Sequence, residues 1–314
     1  MDLEQLLKER VGLAELGELA ALIDQFSAAD GIHPTPIPRL SLIRSSQPTE
    51  PLHALHEPAL CIVAQGRKQV MVGETIFEYD PTHFLVVSVD VPIIGQVIEA
   101  SPVRPYFCLR LDLDPVALSA LMLEAGMNTA ASDVPGPSLQ LDVVTPELLD
   151  AAIRLLRLLA SPRDIGVLAP LAEREILYRL LHSPQGGRLR QIAQADSKLQ
   201  QINRAIGWIK KNFREPFSIE HVAAEARMSA SALYNHFKTV TAMSPLQYQK
   251  QLRLQEARRL MVGLSVDAAT ASHDVGYESP SQFSREYRRL FGAPPARDVA
   301  RLRETPGQMA GMLV

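Results

Sequence analysis

The chain has 314 residues, of which 46% are hydrophobic and 21% are charged, and its formal net charge is −3. This length allows two domains with separate cores, and the composition excludes extended disorder. The two cysteines, Cys61 and Cys108, are too few for a disulfide framework, and no CxxC motif or Cys/His cluster predicts a zinc site.

The charge is divided unevenly along the chain. Residues 188–314 carry 19 Lys and Arg against 11 Asp and Glu, a balance of +8, whereas residues 1–187 carry 13 against 24. A basic half joined to an acidic half indicates an anionic partner for the basic half, with a solvated basic face as the alternative.

The first segment, 1–30, has apolar residues at spacings of three and four and predicts an amphipathic helix. It lacks the basic head and apolar core of a signal peptide. The most apolar stretch, 83–100, is interrupted by Asp90 and Pro92, which argues against a membrane span. We therefore expect a cytoplasmic protein with no membrane partner.

Residues 36–112 change to short β-branched runs separated by turn dipeptides, which predicts an antiparallel barrel or sandwich. Helical periodicity returns from 115 to 181. Helices over 147–160 and 168–181 are candidates for a homodimer interface, or else pack onto the barrel. The residues that the second would present are Ile176, Leu177, Leu180 and Leu181.

Domain boundaries follow from these changes of pattern. The stretch 183–191, "SPQGGRLRQ", has Pro, paired Gly and no apolar period, so it predicts a short flexible linker. The expected division is a helical segment 1–30, an effector and dimerisation domain 31–182, a linker 183–197, a helical domain 198–303 and a tail 304–314.

The basic half contains an internal repeat. Residues 218–245 and 265–295 each begin with Ser, a candidate N-cap, and each has an acidic residue soon after it. Each continues with a short Ala-rich helix, a second Ser-rich cap and a helix that carries aromatic and basic residues. A short helix, a tight turn and a second helix predict a helix-turn-helix unit, here present twice.

This ordered pattern, with "SPLQYQKQLRLQEARRLM" between the units and "VGYESPSQFSREYRRLFGAPP" at the end, resembles the DNA-binding region of AraC/XylS-type bacterial transcription regulators. The stretch "EPALCIVAQGRKQVMVGETIFEYDPTHFLVVSVDVP" resembles the cupin-like N-terminal arm of one branch of that family. The implied fold class is α+β with two domains: a cupin-like β-barrel with flanking helices, then an all-α pair of helix-turn-helix units joined by a linker helix. The resemblance also implies RNA polymerase as a partner and transcriptional activation as the commoner outcome.

In the second unit, Ser279 is expected to cap the helix and to contact phosphate, with Pro280 in the first turn. Phe283, Tyr287 and Leu290 would pack inward. The opposite side carries three residues for base contacts, since Arg can pair with guanine and Gln with adenine: Ser281, Gln282 and Arg285. Arg288 and Arg289, further along, are assigned to phosphates.

In the first unit, Leu233 and Phe237 are expected to face the core. Family resemblance assigns base contacts to Ser231, Tyr234 and Asn235, with Lys238 on a phosphate. The linker helix, capped by Ser244, would hold the two units so that they enter successive major grooves, about 34 Å apart. Its expected buried residues are Leu246, Leu252, Leu254, Ala257 and Leu260.

The acidic half offers weaker signals for a ligand. The candidates for metal ligands are His53, His56, Glu57 and His83, but a close His-x-His is absent. In addition, "HALHE" precedes the strands, where a solvated loop is expected. We therefore predict no metal and no cofactor. Cys61 and Cys108 lie in apolar runs and are candidate sensor thiols, or else inert buried thiols.

The sequence therefore predicts a transcription regulator and not an enzyme. Its partners would be double-stranded promoter DNA, an unidentified small effector or redox signal, and a second copy of the chain. Two alternatives stay open: a metal-dependent cupin enzyme with a DNA-binding tail, and an architectural protein that binds DNA without sequence preference.

Overall fold

The computed structural model describes residues 3–127, 136–184, 186–194 and 197–304. The chain begins with helix α1 (Leu3–Phe26) and continues as a β region. Its strands are β1 (Gly31–Pro34), β2 (Leu40–Ser45), β3 (Leu52–His56), β4 (Ala59–Gln65), β5 (Arg67–Val72), β6 (Thr75–Tyr79), β7 (His83–Val87), β8 (Val91–Glu99), β9 (Tyr106–Asp112) and β10 (Leu139–Val143).

These strands form two antiparallel sheets. One has six strands in the order β1-β2-β9-β4-β7-β10, and the other has four in the order β3-β8-β5-β6. Within the described residues the sheets do not join into a closed barrel, so the predicted cupin-like barrel is an open arrangement of two facing sheets. The predicted fold class, a β domain followed by a helical region, is confirmed.

The central strands are buried on both faces. In β4 every residue from Ala59 to Ala64 is buried, because the second sheet covers one face while α1 packs against β2, β4 and β9 on the other. The chain crosses from β4 to β5 at Gly66, whose φ is +81° and where a Cβ would lie 2.5 Å from the Glu99 carbonyl oxygen. Only glycine fits this crossing.

Further helices complete the N-terminal half: α2 (Pro115–Glu124), α3 (Pro146–Arg157) and α4 (Ile165–His182). Segment 183–197, predicted as a flexible linker without apolar period, contains a helix, α5 (Gly186–Ala193). Leu189 and Ile192 of α5 are buried, and α5 packs against α2 and α4. This packing overrides the low helix propensity of its two glycines.

The C-terminal region is helical from Lys198. It comprises α6 (Lys198–Asn212), α7 (Ile219–Ala226), α8 (Ala230–Thr241), α9 (Pro245–Gly263), α10 (Ala268–Asp274), α11 (Pro280–Phe291) and α12 (Pro295–Glu304). The predicted tail lies outside the described residues after 304. In the described part of the chain, no helix combines the length and apolar character needed to cross a bilayer.

Candidate DNA interface and ligand cavity

Serine caps start three of the four helices that build the two repeat units. The Ser218 side chain accepts from the backbone N–H of His221 at α7, Ser229 does so for α8, and Ser279 for α11. In the second unit, however, α10 is capped by Asp267, which accepts from Ala269 and Thr270. The predicted cap Ser265 has a φ of +58°, outside the extended conformation that an N-cap adopts.

Helix α8 turns one face inward and one outward. Leu233, Phe237 and Val240 are buried, and the Phe237 ring meets that of Tyr248 edge to face at 5.4 Å. The four residues predicted to contact DNA from this unit are exposed: Ser231, Tyr234, Asn235 and Lys238. Tyr234, 47% exposed, is a large aromatic side chain on an otherwise polar face, which suits contact with a partner.

Helix α11 has the same two faces. Phe283, Tyr287 and Phe291 are buried, and successive ring centroids lie 5.5 and 4.5 Å apart. Leu290, expected inside, is only partly buried, and Phe291 completes the row. Side chains predicted for bases and phosphates are exposed on the opposite face: Ser281, Gln282, Arg285, Arg288 and Arg289. Their contacts with DNA stay a prediction.

One predicted base contact is already engaged inside the chain. The Gln282 amide donates to Glu286 Oε1 at 3.1 Å, and the Tyr277 hydroxyl and Lys250 Nζ donate to the same carboxylate at 2.8 and 2.7 Å. By contrast, the described residues provide no hydrogen-bond partner for the side chains of Arg285, Arg288 and Arg289.

Helix α9 links the units and is held at its start by a capping box between Ser244 and Gln247. Leu252, Leu254, Ala257 and Leu260 are buried as predicted, but Leu246 is 43% exposed. Leu246 lies in the first turn, where Pro245 and Tyr248 take the inward positions.

Much of the basic charge holds the domain together instead of facing solvent. Arg253 donates to the backbone carbonyls of Phe213, Arg214, Glu215 and Gly276. A second arginine, Arg258, forms a buried bidentate pair with Asp298 at 2.7 and 2.9 Å. Arg253 and Arg258 are therefore engaged within the domain and not available to an anion.

The β region contacts the C-terminal helices at several points. Lys210 Nζ of α6 lies 2.6 Å from Asp90 Oδ2 and 3.6 Å from Glu57 Oε1. Tyr248 of α9 donates its hydroxyl to the Asp90 carbonyl at 2.9 Å. At the second unit, Arg301 of α12 pairs with Glu50 at 2.7 Å.

His53 forms another of these contacts. It lies on β3, and its ring meets that of Phe291 edge to face at 5.0 Å. Burial, with the Arg258 guanidinium adding to it, lowers the pKa of His53 to about 4. The expectation that "HALHE" is a solvated loop is wrong for residues 53–56, which belong to β3 and pair with β8, and His56 is buried. Glu57 follows the strand and is exposed.

A cavity of about 410 Å³ opens between the two sheets, within the size range of small-molecule sites. Its wall is mostly apolar, with residues such as Ile43, Leu55 and Ile93. It also carries the polar groups His56, Cys61, Lys68 and Arg110. Ligand sites of proteins combine an apolar wall with a few polar groups in this way.

The described residues contain no group of three or more His, Cys, Asp and Glu side chains that could hold a metal ion. Of the two thiols, both buried, Cys61 lines the cavity. The predicted dimer residues Ile176, Leu177, Leu180 and Leu181 are buried in the chain itself, so they pack within the fold. The apolar residues that α2 and α4 expose are Val116, Leu123, Val167, Leu168, Leu171 and Tyr178.

Two family models match the chain. Residues 36–188 match the AraC-type transcriptional regulator N-terminus, and residues 222–301 match a helix-turn-helix domain. Together they cover strands β2 to β10, most of the cavity lining, α8 and α11.

Relatives with similar sequences are transcriptional regulators by name. The transcriptional activator RhaS of Pectobacterium carotovorum is 28% identical over 105 residues, 33% of this chain and 38% of that protein. The transcriptional regulator ExsA of Pseudomonas aeruginosa is 26% identical over 165 residues, 52% and 59% of the two chains. The chain thus spans less than two thirds of the length of these relatives.

Among solved structures, ToxT from Vibrio cholerae, bound to (E)-4-(8-methylnaphthalen-1-yl)but-3-enoic acid, superimposes with a TM-score of 0.57 at 11% identity. The match covers 84% of this chain and 98% of ToxT. A second ToxT structure, bound to an unsaturated fatty acid, gives a TM-score of 0.55 at 10% identity and covers 83% and 93%. These similarities show the fold.

Proposed function

Because the chain belongs to the AraC/XylS family of transcriptional regulators, we propose that it binds double-stranded promoter DNA in a sequence-specific way and regulates transcription. Helices α8 and α11 are the proposed recognition helices. Ser231, Tyr234 and Asn235 contact bases from the first, with Lys238 on a phosphate. The residues proposed on the second are Ser281, Gln282 and Arg285 for bases and Ser279, Arg288 and Arg289 for phosphates.

The observation that carries this proposal is the repetition of one design on both sides of α9. In each unit a serine-capped helix packs apolar side chains inward and leaves polar side chains outward at corresponding positions, as Asn235 and Arg285 do. Two recognition helices on a rigid connector suit two major-groove segments on one face of a duplex, about 34 Å apart.

The proposed effector site is the cavity between the sheets. It combines an apolar wall with Lys68 and with Arg110, whose Nη2 is buried without a hydrogen-bond partner in the described structure. Such a site suits a small compound with an apolar body and a negatively charged or carbonyl head. The organic acids bound by ToxT, a protein of the same fold, support this ligand class.

The contacts of Asp90 provide a route from this cavity to the DNA-binding helices. His56, in the cavity wall, is followed in the chain by Glu57, which faces Lys210 of α6. An effector that displaces His56 changes the partners of Lys210, and through Asp90 it reaches α9 as well. Ligand binding would thereby alter how α8 and α11 are presented to DNA.

We further propose a homodimer, and RNA polymerase as a partner by resemblance to the family. The exposed apolar residues of α2 and α4, such as Leu123 and Leu171, are the proposed surface for a second copy, since contiguous exposed apolar side chains mark interaction sites. Light scattering of the wild type and of Leu171→Glu, expected to be dimeric and monomeric respectively, tests this surface.

The domain boundaries remain part of the proposal. Residues 31–182 form the effector and dimerisation domain and 198–303 the DNA-binding domain, with 1–30 as a helical segment and 304–314 as a tail. Because α5 packs against α2 and α4, we infer that the flexible connection is shorter than the proposed linker 183–197.

In vitro selection from fragmented genomic DNA by the full-length protein, followed by sequencing, tests the proposal. A sequence-specific regulator enriches a discrete motif, whereas an architectural protein enriches none and loses affinity steeply with salt. The regulators among its relatives support assigning no enzymatic activity. Stoichiometric iron, manganese or zinc in the purified protein would instead support the metal-dependent enzyme.

A further inference from the structure

A thiol, an imidazole and a guanidinium meet in the wall of the cavity. Cys61 on β4, His56 on β3 and Arg110 on β9 all line it, and they are 2%, 8% and 6% exposed. In the ladder between β4 and β9, Cys61 lies directly opposite Arg110. The proposed DNA contacts use none of these side chains.

Hydrogen bonding fixes the tautomer of His56. Its Nδ1 lies 2.7 Å from the Glu57 carbonyl oxygen, and a carbonyl oxygen only accepts, so Nδ1 carries the proton. In the neutral ring, Nε2 is then an unprotonated acceptor. Nε2 is the atom that lies 3.9 Å from Cys61 Sγ. The imidazole is therefore oriented to take the thiol proton, as a base does beside a nucleophilic cysteine.

Two cationic side chains, Arg110 and Lys68, line the cavity together with this sulfur. Arg110 Nε donates to Asp112 at 2.8 Å, but its Nη2 is buried and has no partner in the described structure. Lys68 of β5 also lines the cavity, and the described residues place no carboxylate within ion-pair distance of it. Cations near a thiol favour its thiolate form, and an unpartnered buried donor is suited to an anionic oxygen.

The two cysteines of this region have different environments. Cys108 lies on the neighbouring strand opposite Val63, diagonal to Cys61, and of the two thiols it is Cys61 that lines the cavity. The neighbouring Cys108 side chain, together with His56 and Arg110, holds the pKa of the Cys61 thiol below its ordinary value. The Cys108 thiol donates instead to the Leu109 carbonyl oxygen at 3.4 Å. Its place in the cavity wall and its contact with His56 Nε2 distinguish Cys61 as the nucleophile of the pair.

We propose that Cys61 is a covalent sensor that captures small α,β-unsaturated carbonyl compounds in the cavity. The thiol proton moves to His56 Nε2, and the sulfur lone pair forms a C–S bond to the β-carbon. The π pair shifts toward the carbonyl oxygen, which faces Arg110 Nη2 as an enolate. The imidazolium then returns the proton to the α-carbon. The net change is addition of S–H across C=C, with no leaving group and no oxidant.

The adduct would form close to a contact between the β region and the DNA-binding region. It occupies space beside His56, and the next residue, Glu57, faces Lys210 of α6 at 3.6 Å. We therefore expect displacement of the His56 ring to change the contact between the β region and α6. This consequence rests on the proposed regulatory function, whereas the thiol addition does not.

Intact-mass measurement of the full-length protein with methyl vinyl ketone at pH 7 tests the chemistry. We expect one rapid addition at Cys61, at least about tenfold faster than addition to glutathione, an ordinary thiol with a pKa near 8.5. Cys61→Ser should abolish the rapid addition and Cys108→Ser should keep it, more slowly. Equal labelling of both cysteines, or labelling only in denaturant, would overturn the proposal.

The pH profile separates the role of His56 from a structural one. The groups facing Cys61 are Cys108, Tyr79, Tyr106, His56, Arg110 and Lys68; burial raises the pKa of both tyrosines, so they stay neutral. His56→Gln should move the rise of the rate to higher pH while the rate at pH 10 is retained. A uniform loss at all pH values would contradict proton transfer to His56.

The reacted protein is then titrated with the selected DNA site. A sensor should change affinity by at least about threefold on reaction, and unreacted Cys61→Ser should bind as the wild type does. A complete Cys61 adduct with unchanged affinity would overturn the sensor role. Failure of the unreacted wild type to bind any DNA would count against the proposed function, while the mass measurement decides the thiol chemistry separately.

Discussion

The carboxylate of Asp90 lies 2.6 Å from Lys210 Nζ, while its backbone carbonyl accepts a hydrogen bond from the Tyr248 hydroxyl at 2.9 Å. One residue between β7 and β8 thus contacts both α6, which packs against the first helix-turn-helix unit, and α9, which links the two units. Asp90 therefore joins the β region to the two helices that support and link the helix-turn-helix units.

Removing the ion pair between Asp90 and Lys210 is expected to weaken the contact between the β region and the C-terminal helices. Asp90→Asn and Lys210→Met should each lower the free energy of unfolding. We expect a coupling energy of about 1 kcal/mol in a double-mutant cycle. The value is small because the side chains of Asp90 and Lys210 are 20% and 31% exposed, and exposed ion pairs contribute less than buried ones. Glu57→Gln is the control, since its carboxylate is further from Lys210. Strictly additive effects of the two substitutions would argue that the ion pair contributes nothing.

Arginines on α11 are expected to differ in what they contribute to DNA binding. Arg285→Ala should reduce discrimination at one base pair by about 1–3 kcal/mol, because Arg285 lies on the proposed base-contacting side. Arg288→Ala should weaken binding to all sequences alike, since a phosphate contact carries no sequence information. Affinities for a set of single-base variants of the selected site distinguish the two. Equal profiles would mean that the roles are assigned wrongly.

The buried pair of Arg258 and Asp298 is expected to be a main support of the second unit. Both are nearly inaccessible, and Asp298 also accepts from the Tyr287 hydroxyl at 2.8 Å. Asp298→Ala leaves the arginine charge buried without its partner and should cost about 3–5 kcal/mol of unfolding free energy. Tyr287→Phe, which removes only one hydrogen bond, should cost about 1 kcal/mol. Denaturant titrations compare them, and similar losses would contradict this ranking.

Acidification is expected to weaken the packing of His53 on Phe291. Because the folded protein lowers the pKa of His53 from 6.5 to about 4, the folded state favours the neutral ring. The stability from this group is complete above pH 6.5 and is lost as the pH falls toward 4, at up to about 1.4 kcal/mol per pH unit. His53→Gln should remove this part of the pH dependence in unfolding experiments between pH 7 and 4. An unchanged slope in the variant would exclude His53 as its source.

Local signals were sufficient for the two repeat units. A serine cap and apolar residues spaced by four predict both α8 and α11 through backbone hydrogen bonds and one buried face, and α11 also has Pro280 in its first turn. Ser265 shows the limit of this reasoning. A serine before a helix looks like a cap, but a left-handed conformation at Ser265 leaves that role to Asp267.

What the sequence did not predict depends on contacts between distant segments. His53 and His56 belong to a strand because "LHALH" pairs with β8, which outweighs the low strand preference of its composition. Likewise, α5 forms where two glycines suggested a linker, because Leu189 and Ile192 are buried in the core. The engagement of Lys210 by Asp90 joins residues 120 positions apart, and no local pattern encodes it.

Hydroxyl-radical footprinting of the protein on its selected DNA site tests whether α8 and α11 enter successive major grooves of one duplex. We expect two protected patches on one face of the DNA, about one helical turn apart. Arg285→Ala should weaken the patch of the second unit, and Asn235→Ala that of the first. A single continuous protection without sequence preference, or no protection at low ionic strength, would contradict it.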